Sequence, residues 1–344
     1  MCTITSRLTE PYVLATAVAV LAVLVSTLAM GLFSRSTSFD PRGKFCYVPG
    51  GSAGLGKALA EDLVRRGAHV VIVARDASRS ADTIAGLKKL AGGDAERKLF
   101  AVSADLTSQE ASEAALAEAC AAFGGRAPDY VFLCAGFSKP QLFVNATAAD
   151  LKSGLDGVYW VSAWTAHAVV KMMVKQRVKG TITFVSSFVG YAAIAGYSPY
   201  APGKFALRGL ADSLRAEMFL HDIKVHLYMP AGILSPGYEN EQKTKHAITK
   251  KIEESDTPIS PEAAVRYLVR GIEKGNYQIT NDFMTDMVRV ATAGPVPWNG
   301  PLDLVYSALS AIVMPIFRQV VDGTVRSSKK SVEEELQAQG FFDN

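Results

Sequence analysis

From Lys44 onward, the sequence alternates short, uninterrupted apolar runs with helix-length amphipathic stretches. The runs have the length of strands, and they are Phe45–Val48, Val70–Ala74, Leu99–Val102, Tyr130–Ala135, Thr181–Val185 and Val225–Met229. A strand covered on both faces is apolar throughout, whereas a half-exposed strand alternates apolar and polar residues. The stretches between the runs predict helices, at Leu55–Arg66, Ser78–Leu90, Ser108–Phe123, Thr147–Lys175 and Pro199–Leu220. Repeated strand–helix units predict an α/β fold, with one doubly wound parallel sheet in a single domain over residues 35–300.

The stretch after the last predicted strand, Pro230–Pro258, is rich in charged residues, glycine and proline. We expect it to be irregular, and irregular segments of this length often serve as lids or binding loops. Residues 230–260 are therefore a candidate lid. A helix is predicted to resume at Pro261–Lys274.

An apolar run without a charge, Tyr12–Phe33, lies near the amino terminus. As a helix, its 22 residues would span about 33 Å, enough for a bilayer core of about 30 Å. A basic excess that includes Arg42 and Lys44 follows the run, which places the bulk of the chain in the cytosol. Residues 1–34 are thus predicted to be a transmembrane anchor. A signal peptide cleaved near Ala29–Gly31 is the alternative.

A second apolar segment, Leu302–Phe317, contains Asp303 and Pro315. Its 16 residues would reach only about 24 Å as a helix, short of a full membrane span. The segment could dip into the membrane, lie in its surface, or pack as a core or partner-facing helix. Residues 301–344 are accordingly assigned to a membrane-associated apolar segment and a polar tail.

Composition narrows the classes of function. Hydrophobic residues make up 49% of the chain, which favours contact with membrane lipid. The net charge of +3 comes from interspersed acidic and basic residues, so no nucleic-acid partner is indicated. The four cysteines and the five histidines show no metal-ligand spacing, and no metal is predicted.

The first predicted strand runs into a glycine-rich turn that is followed by a helix. Glycines in such a turn let backbone N–H groups approach a pyrophosphate at the helix N-terminus. The spacing is G-x-x-x-G-x-G and not the G-x-G-x-x-G pattern of other dinucleotide folds. We expect the cofactor-binding residues of this turn to be Gly50, Ser52, Ala53, Gly54, Leu55 and Gly56.

The second predicted strand is followed by Arg75, with Arg79 one helical turn further on. An acidic residue at this position would bind the ribose 2′-hydroxyl of NAD, whereas two guanidinium groups suit a 2′-phosphate. The pair therefore predicts NADPH, unless both arginines are simply solvated surface charges. Asp105 and Leu106 end the third strand, where Asp105 could bind the adenine amine or cap the next helix.

Tyr200 and Lys204 stand four residues apart, so on a helix their side chains share one face. A neighbouring ammonium stabilises a phenolate and lowers the pKa of a tyrosine, which could then donate a proton to a carbonyl oxygen. Without other motifs, a tyrosine and a lysine at this spacing are typical of the exposed surface of an amphipathic helix. Ser187 lies 13 residues before Tyr200.

Together, these motifs resemble those of the short-chain dehydrogenase/reductase family over Lys44–Ser235. The matches are the glycine-rich turn, Asp105-Leu106, Ala135-Gly136, Ser186-Ser187 and Tyr200 with Lys204. The resemblance implies a Rossmann-like fold, with Tyr200 as proton donor, Lys204 lowering its pKa and binding the nicotinamide ribose, and Ser187 holding the substrate carbonyl. If the alignment is shifted by one residue, Ser186 would hold the substrate carbonyl in place of Ser187. Ser235 matches the position that binds the nicotinamide carboxamide.

Within the family, the chain is similar to membrane-bound reductases of long-chain keto sphingoid bases. The membrane segments, the form of the glycine-rich turn and the sequence Ser235–Glu241 carry this resemblance. It implies NADPH-dependent reduction of such a base in sphingolipid synthesis, at the endoplasmic reticulum membrane with the catalytic domain facing the cytosol. A homo-oligomer is also possible. The alternatives are a steroid, retinoid or 3-ketoacyl reductase, a non-catalytic dinucleotide-binding module, or a secreted soluble enzyme.

The sequence departs from the family pattern at five positions. Pro49 precedes the glycines, Cys134 replaces an asparagine, and Asp156 stands where the family's catalytic asparagine is expected. Asp156 is assigned to the catalytic set as the residue that helps to hold a water in the proton relay. Pro202 and Gly203 are poor helix formers and predict a distorted turn between Tyr200 and Lys204. We expect Pro199 at the first helical position and Ser198 as the cap.

Overall fold

The computed structural model of the chain describes residues 39–94 and 96–342. Its strands form one parallel sheet in the order β3-β2-β1-β4-β5-β6-β7. The strands are β1 (Phe45–Pro49), β2 (His69–Ala74), β3 (Leu99–Ser103), β4 (Tyr130–Leu133), β5 (Thr181–Val185), β6 (Lys224–Tyr228) and β7 (Gln278–Ile279). The doubly wound sheet is therefore confirmed, and the predicted strand ends shift by at most two residues. The edge strand β7 was missed, because two residues are too short for any pattern.

Helices cover both faces of the sheet and continue to the carboxyl terminus. The helices are α1 (Gly54–Arg65), α2 (Ala77–Leu90), α3 (Gln109–Ala121), α4 (Ala148–Leu155), α5 (Val161–Gln176), α6 (Ala201–Met218), α7 (Pro236–Thr244), α8 (Ala247–Ile252), α9 (Pro261–Glu273), α10 (Phe283–Ala291), α11 (Leu302–Ser327) and α12 (Lys329–Ala338). The segment predicted as one helix, Thr147–Lys175, is divided by a π-helical turn at Asp156–Trp160. In this turn Gly157 lies against the ring of Phe137, where a Cβ atom would overlap it.

The two faces of the sheet bury separate hydrophobic clusters. In β1, Phe45 and Tyr47 face one cluster, and Cys46 and Val48 face the other. All five residues of this strand are buried. This explains the uninterrupted apolar runs, since a strand with helices on both faces has no exposed side.

The segment predicted to be an irregular lid is largely helical. Ser235 caps α7 by accepting a hydrogen bond from the backbone N–H of Tyr238. Pro236 occupies the first turn of α7, where a backbone N–H would have no partner within the helix. A backbone bridge between Ile233 and Ile259 closes the base of the segment. The prediction of irregular structure was wrong because these helices have few apolar residues and are held by polar contacts.

The C-terminal apolar segment is longer than predicted. Helix α11 has 26 residues, about 39 Å, because it continues past Pro315 into the polar tail. Among the described residues, it is the single helix that is long and apolar enough to cross a membrane by length and composition. Asp303, which interrupts the apolar pattern, forms a buried ion pair with Arg289 of α10 at 2.6 Å. The predicted anchor Tyr12–Phe33 lies outside the described residues.

Candidate active site

A cavity of about 1300 Å³ opens at the carboxyl ends of the strands. Open parallel sheets bind ligands at this edge, where the strand order reverses. Here the reversal falls between β1 and β4, and the loops after both strands contribute to the cavity wall. The cavity brings together nearly all of the residues predicted from the sequence, namely Gly50, Ser52, Ala53, Gly54, Leu55, Gly56, Arg75, Arg79, Asp105, Leu106, Ser187, Tyr200, Lys204 and Ser235.

The glycine-rich turn connects β1 to α1 and is shaped by two close approaches. Gly50 has a φ of +81°, and a Cβ atom there would lie 2.6 Å from the backbone nitrogen of Ala135. A Cβ atom on Gly56 would overlap the carbonyl oxygen of Gly50. Ala53 precedes α1 and has no side-chain acceptor for the first N–H groups. This combination leaves an uncapped helix N-terminus at the cavity, which suits a pyrophosphate group.

The predicted phosphate-binding arginines lie at the far end of the cavity. Arg75 and Arg79 are largely exposed, and Arg75 approaches Asp105 at 4.0 Å. Asp105 does not cap the next helix, because Ser108 is the residue that accepts a hydrogen bond from the first turn of α3. Instead, Asp105 accepts hydrogen bonds from Thr107. The alternative role of Asp105 as a helix cap is thus wrong. The carboxylate of Asp105 lies on the cavity wall.

Tyr200 and Lys204 occupy the start of α6, and the turn between them is regular. The helix begins at Ala201 with Tyr200 as the N-cap, so the predicted start at Pro199 with Ser198 as the cap was wrong. Pro202 falls within the first turn, where the missing N–H has no helical partner in any case. Gly203 allows α6 to pack closely on the π-helical turn, since a Cβ atom there would lie 2.9 Å from Val158.

The side chains of the pair meet inside the cavity. Lys204 is 6% exposed, and its Nζ donates a hydrogen bond of 3.0 Å to the carbonyl oxygen of Val185. The same Nζ lies 5.4 Å from the centroid of the Tyr200 ring. Ser187 is hydrogen-bonded to the Tyr200 hydroxyl, which stabilises the ionised form of the phenol. Tyrosine, serine and lysine therefore form one connected group, as their spacing predicted.

Burial dominates the electrostatics of Tyr200. It raises the pKa of Tyr200 above its ordinary value, and the charge of Glu241 raises it further. The Lys204 ammonium donates to the Val185 carbonyl, and the lowering of the Tyr200 pKa expected from Lys204 stays a prediction. Burial also lowers the pKa of Lys204 to about 8, so the ammonium stays mostly charged at pH 7. The phenol is consequently held in its protonated form, which is the form that can donate a proton.

The neighbouring serines have separate roles. Ser186 is buried, and its hydroxyl donates to the carbonyl oxygen of Lys204 at 3.1 Å. It therefore fastens α6 to the end of β5, while Ser187 points to the Tyr200 hydroxyl. The register predicted from the interval to Tyr200 places Ser187, and not Ser186, against the phenol.

Asp156 is placed differently from the expectation for a relay residue. Its carboxylate accepts a hydrogen bond of 2.5 Å from Lys152, one turn earlier on the exposed side of the helix. Asp156 is absent from the wall of the cavity among the described residues. The π-helical turn and Lys152 thus hold the Asp156 carboxylate outside the cavity wall, and the role of Asp156 in holding a water stays a prediction. Cys134 does lie on the cavity wall, and burial raises the pKa of its thiol to about 12.

A polar network beside Tyr200 was not predicted. Lys245 is almost fully buried, and its Nζ contacts Glu241 at 2.8 Å and Glu253 at 2.5 Å. The Tyr197 hydroxyl lies 2.6 Å from Glu241 and 2.8 Å from Glu253. The i,i+4 spacing of Glu241 and Lys245 was the only available signal, and it is common on exposed helices. All four residues line the cavity.

Part of the cavity wall is apolar and comes from the C-terminal helix. Phe317, Val320 and Val321 of α11 line the cavity. The ring of Phe317 contacts Phe188, the residue after Ser187, with 6.4 Å between ring centroids. One cavity thus contains the Tyr200–Ser187–Lys204 group, the polar network and this apolar wall.

The fold and this group of side chains define a class of protein. A family model described as short chain dehydrogenase matches residues 44–246. The chain belongs to the short-chain dehydrogenase/reductase family and is an oxidoreductase.

Three curated relatives align with more than four fifths of the chain. A 3-ketodihydrosphingosine reductase of Cryptococcus neoformans is 51% identical over 309 residues, which are 90% of this chain and 92% of the relative. A 3-ketodihydrosphingosine reductase of Aspergillus fumigatus is 36% identical, over 83% of this chain and 84% of the relative. A 3-dehydrosphinganine reductase of Danio rerio is 31% identical, over 88% of this chain and 90% of the relative.

Solved structures confirm the fold. A short-chain dehydrogenase/reductase from Burkholderia phymatum in complex with NAD has a TM-score of 0.66 at 17% identity, and covers 76% of this chain and 100% of its own. L-sorbose reductase from Gluconobacter frateurii, complexed with NADPH and L-sorbose, has a TM-score of 0.61 at 22% identity, and covers 71% of this chain and 98% of its own. Both neighbours therefore carry nicotinamide dinucleotides on the same parallel sheet.

Proposed function

We propose that the chain reduces 3-ketodihydrosphingosine to dihydrosphingosine with NADPH, in the synthesis of sphingolipids. The observation that carries the proposal is the Tyr200–Ser187–Lys204 group, which shares one cavity with a polar network and an apolar wall. A long-chain keto base has a polar head and an alkyl chain on opposite sides of its ketone. The relatives named 3-ketodihydrosphingosine reductase support this choice of substrate.

The residues of the site suit a dinucleotide cofactor. The cradle formed by Gly50 and Gly56 has no room for Cβ atoms, and the uncapped start of α1 offers backbone N–H groups to phosphate. Ser235 lies against this cradle, since a Cβ atom on Gly54 would sit 2.9 Å from the Ser235 Cβ. We assign Ser235 to the nicotinamide carboxamide and Asp105 to the adenine amine. A bound nicotinamide dinucleotide would supply the hydride.

The chain's own residues supply the proton and the charge stabilisation. Ser187 donates a hydrogen bond to the ketone oxygen and so fixes the carbonyl beside the phenol. Tyr200 then donates its proton to that oxygen as negative charge develops on it. The buried Lys204 ammonium, 5.4 Å from the Tyr200 ring centroid, stabilises the phenolate that remains. Such stabilisation is stronger in a buried site than in water, because the local dielectric is low.

Arg75 and Arg79 favour NADPH over NADH. Their guanidinium groups follow β2, at the position where an acidic residue would bind the ribose hydroxyls of NAD. Two exposed cations on the cavity wall can bind a 2′-phosphate by charge-assisted hydrogen bonds.

The direct test is to incubate the purified full-length protein with NADPH and 3-ketodihydrosphingosine, and to assay dihydrosphingosine by mass spectrometry. We expect stoichiometric oxidation of NADPH and formation of product. A panel of a steroid ketone, retinal and a 3-ketoacyl thioester tests the alternative reductases. Turnover of one of these with none of the keto base would overturn the substrate assignment. NADPH binding without oxidation across the panel would instead identify a non-catalytic binding module.

We also propose that the enzyme is held at the endoplasmic reticulum membrane, with the catalytic domain facing the cytosol. Helix α11 supports this, because Val305, Leu309, Ile312, Ile316 and Val320 form an exposed apolar stripe along one face. The predicted anchor at residues 1–34 would supply the second attachment.

The attachment through α11 is tested in the chain without residues 1–34, by flotation with phosphatidylcholine vesicles. We expect the parent to float and a variant with Ile312→Glu and Ile316→Glu to stay in the bottom fraction. Charges on the stripe oppose burial in the lipid interface. Asn240→Glu, an added charge on the exposed face of α7, serves as the control and should float. Equal flotation of the stripe variant would contradict the assignment of α11.

A further inference from the structure

The cavity around Tyr200 is divided between two kinds of surface. Phe188 and the α11 residues Phe317 and Val321 form the apolar wall. The same cavity is lined by the polar network of Tyr197, Glu241, Lys245 and Glu253, which we call the head network. An amphipathic ligand whose reactive carbon faces Tyr200 would place its alkyl chain on the first surface and its polar groups on the second.

The two glutamates of the head network are not equivalent. Both oxygens of Glu253 are engaged, Oε1 by the Tyr197 hydroxyl at 2.8 Å and Oε2 by Lys245 at 2.5 Å. Glu241 is contacted by the same two residues, but both reach its Oε1 atom. The Tyr197 hydroxyl lies 2.6 Å from this oxygen and the Lys245 Nζ lies 2.8 Å from it. Within the described part of the chain, no side chain or backbone group donates to Oε2 of Glu241. One carboxylate oxygen on the cavity wall therefore remains available to a donor from a ligand.

The charges of the head network do not balance. Two carboxylates share one ammonium, so the network carries a net negative charge on the wall of a partly enclosed cavity. Tyr197 also has a single proton, which it can donate to only one of the two carboxylates at a time. A second cation within reach of Glu241 would compensate the remaining charge. Buried charges of this kind are stable only when they are paired.

Glu241 is also close to the reacting group. The ring of Tyr197, which bonds Glu241, lies 5.8 Å from the ring of Tyr200 between centroids. Of the two glutamates, Glu241 is the one whose charge acts on the Tyr200 phenol. A cation bound to its free oxygen would therefore lie beside the carbonyl that Tyr200 protonates.

We propose that Glu241 binds the ammonium group on C2 of the long-chain 3-keto base and so selects amino ketones over ketones without an amine. The inference rests on the proposed function. In this substrate the carbon bearing the ammonium is bonded directly to the carbonyl carbon, so the counter-charge has to lie next to Tyr200. The alkyl chain leaves the carbonyl on the other side, toward the α11 wall. Glu241 is thus a specificity-determining residue that takes no part in proton transfer.

The test compares two substrates across four forms of the full-length enzyme in detergent micelles. The substrates are 3-ketodihydrosphingosine and its amine-free counterpart, 1-hydroxyoctadecan-3-one. The enzymes are the wild type, Glu241→Gln, Glu253→Gln and Glu239→Gln. Glu253→Gln disturbs the same contacts with Tyr197 and Lys245, so it controls for a structural role of the network. Glu239→Gln removes an exposed carboxylate from the same helix as Glu241 and controls for surface charge.

We expect the wild type to prefer the amino ketone by at least about 10-fold in kcat/KM, a charge-assisted contact of about 1.4 kcal/mol. Glu241→Gln should lose that preference, mainly through a rise in KM for the amino ketone. Glu253→Gln should change both substrates by the same factor. Glu239→Gln should change neither.

Several outcomes would overturn the assignment. They are equal wild-type activity on the two ketones, equal loss on both in Glu241→Gln, and a selective loss in Glu253→Gln that matches that in Glu241→Gln. The wild-type comparison needs no variant, so it decides even if Glu241→Gln fails to fold. If the wild type reduces the amino ketone but shows none of the selectivity, only this inference fails. If the wild type reduces neither ketone, the proposed function fails as well.

Discussion

Tyr200→Phe should lower kcat for the keto base by about 1,000-fold or more, because it removes the hydroxyl that we assign as the proton donor to the carbonyl. General acid catalysis by a positioned side chain contributes about 10²–10⁴-fold. The ring, its packing and the helix cap remain in the phenylalanine variant. We therefore expect NADPH to bind with unchanged affinity, measured by quenching of tryptophan fluorescence. Turnover is measured as NADPH oxidation at saturating substrate.

A matched control separates the loss of this hydroxyl from a general effect of the substitution. Tyr267 lies on α9 with 48% of its surface exposed, away from the cavity wall. Tyr267→Phe should keep the activity of the wild type. Near-full turnover in Tyr200→Phe would show that the proton comes from elsewhere, and the mechanism proposed for Tyr200, Ser187 and Lys204 would then be wrong.

Arg75→Ala should raise KM for NADPH by about 10- to 100-fold and change KM for NADH by less than about 2-fold. Hydrogen bonds to charged groups contribute about 1.5–3 kcal/mol, and only NADPH carries the 2′-phosphate that Arg75 would bind. The discrimination should also weaken as ionic strength rises, because Arg75 is exposed and its field is screened. Steady-state kinetics with each cofactor at fixed keto base measures both effects.

Arg65→Ala provides the control for this prediction. Arg65 is exposed at the end of α1, pairs with Glu61, and does not line the cavity. Its removal should leave both Michaelis constants unchanged. An equal loss for NADPH and NADH in Arg75→Ala would contradict the 2′-phosphate assignment, since it would indicate a general effect on the cofactor site.

Much of the candidate site could be predicted from local spacing. The glycines of the turn are forced by close backbone approaches, and such constraints act over a few residues, from Gly50 to Gly56. The Tyr200–Lys204 spacing places both side chains on one helical face. The role of Ser187, in contrast, was predicted from the resemblance to the family and not from local geometry.

Other features could not be predicted from the sequence pattern. The pattern did not predict the π-helical turn at Asp156–Trp160 or the ion pair that holds the Asp156 carboxylate against Lys152. Glu241 stands on a polar helix with an ordinary surface pattern. It becomes part of the site only because Tyr197, 44 residues earlier in the chain, donates a hydrogen bond to it.

Amino-acid order alone was enough for the parallel sheet and for the glycine-rich turn after its first strand, because strand burial and helix periodicity are properties of neighbouring residues. Only tertiary structure decided the rest. It extended α11 beyond the predicted apolar segment, paired Asp303 with Arg289, and brought Phe317 of that helix against Phe188, the residue after Ser187. The shape and polarity of the cavity depend on contacts between segments far apart in the chain, and such contacts leave no periodic trace in the sequence.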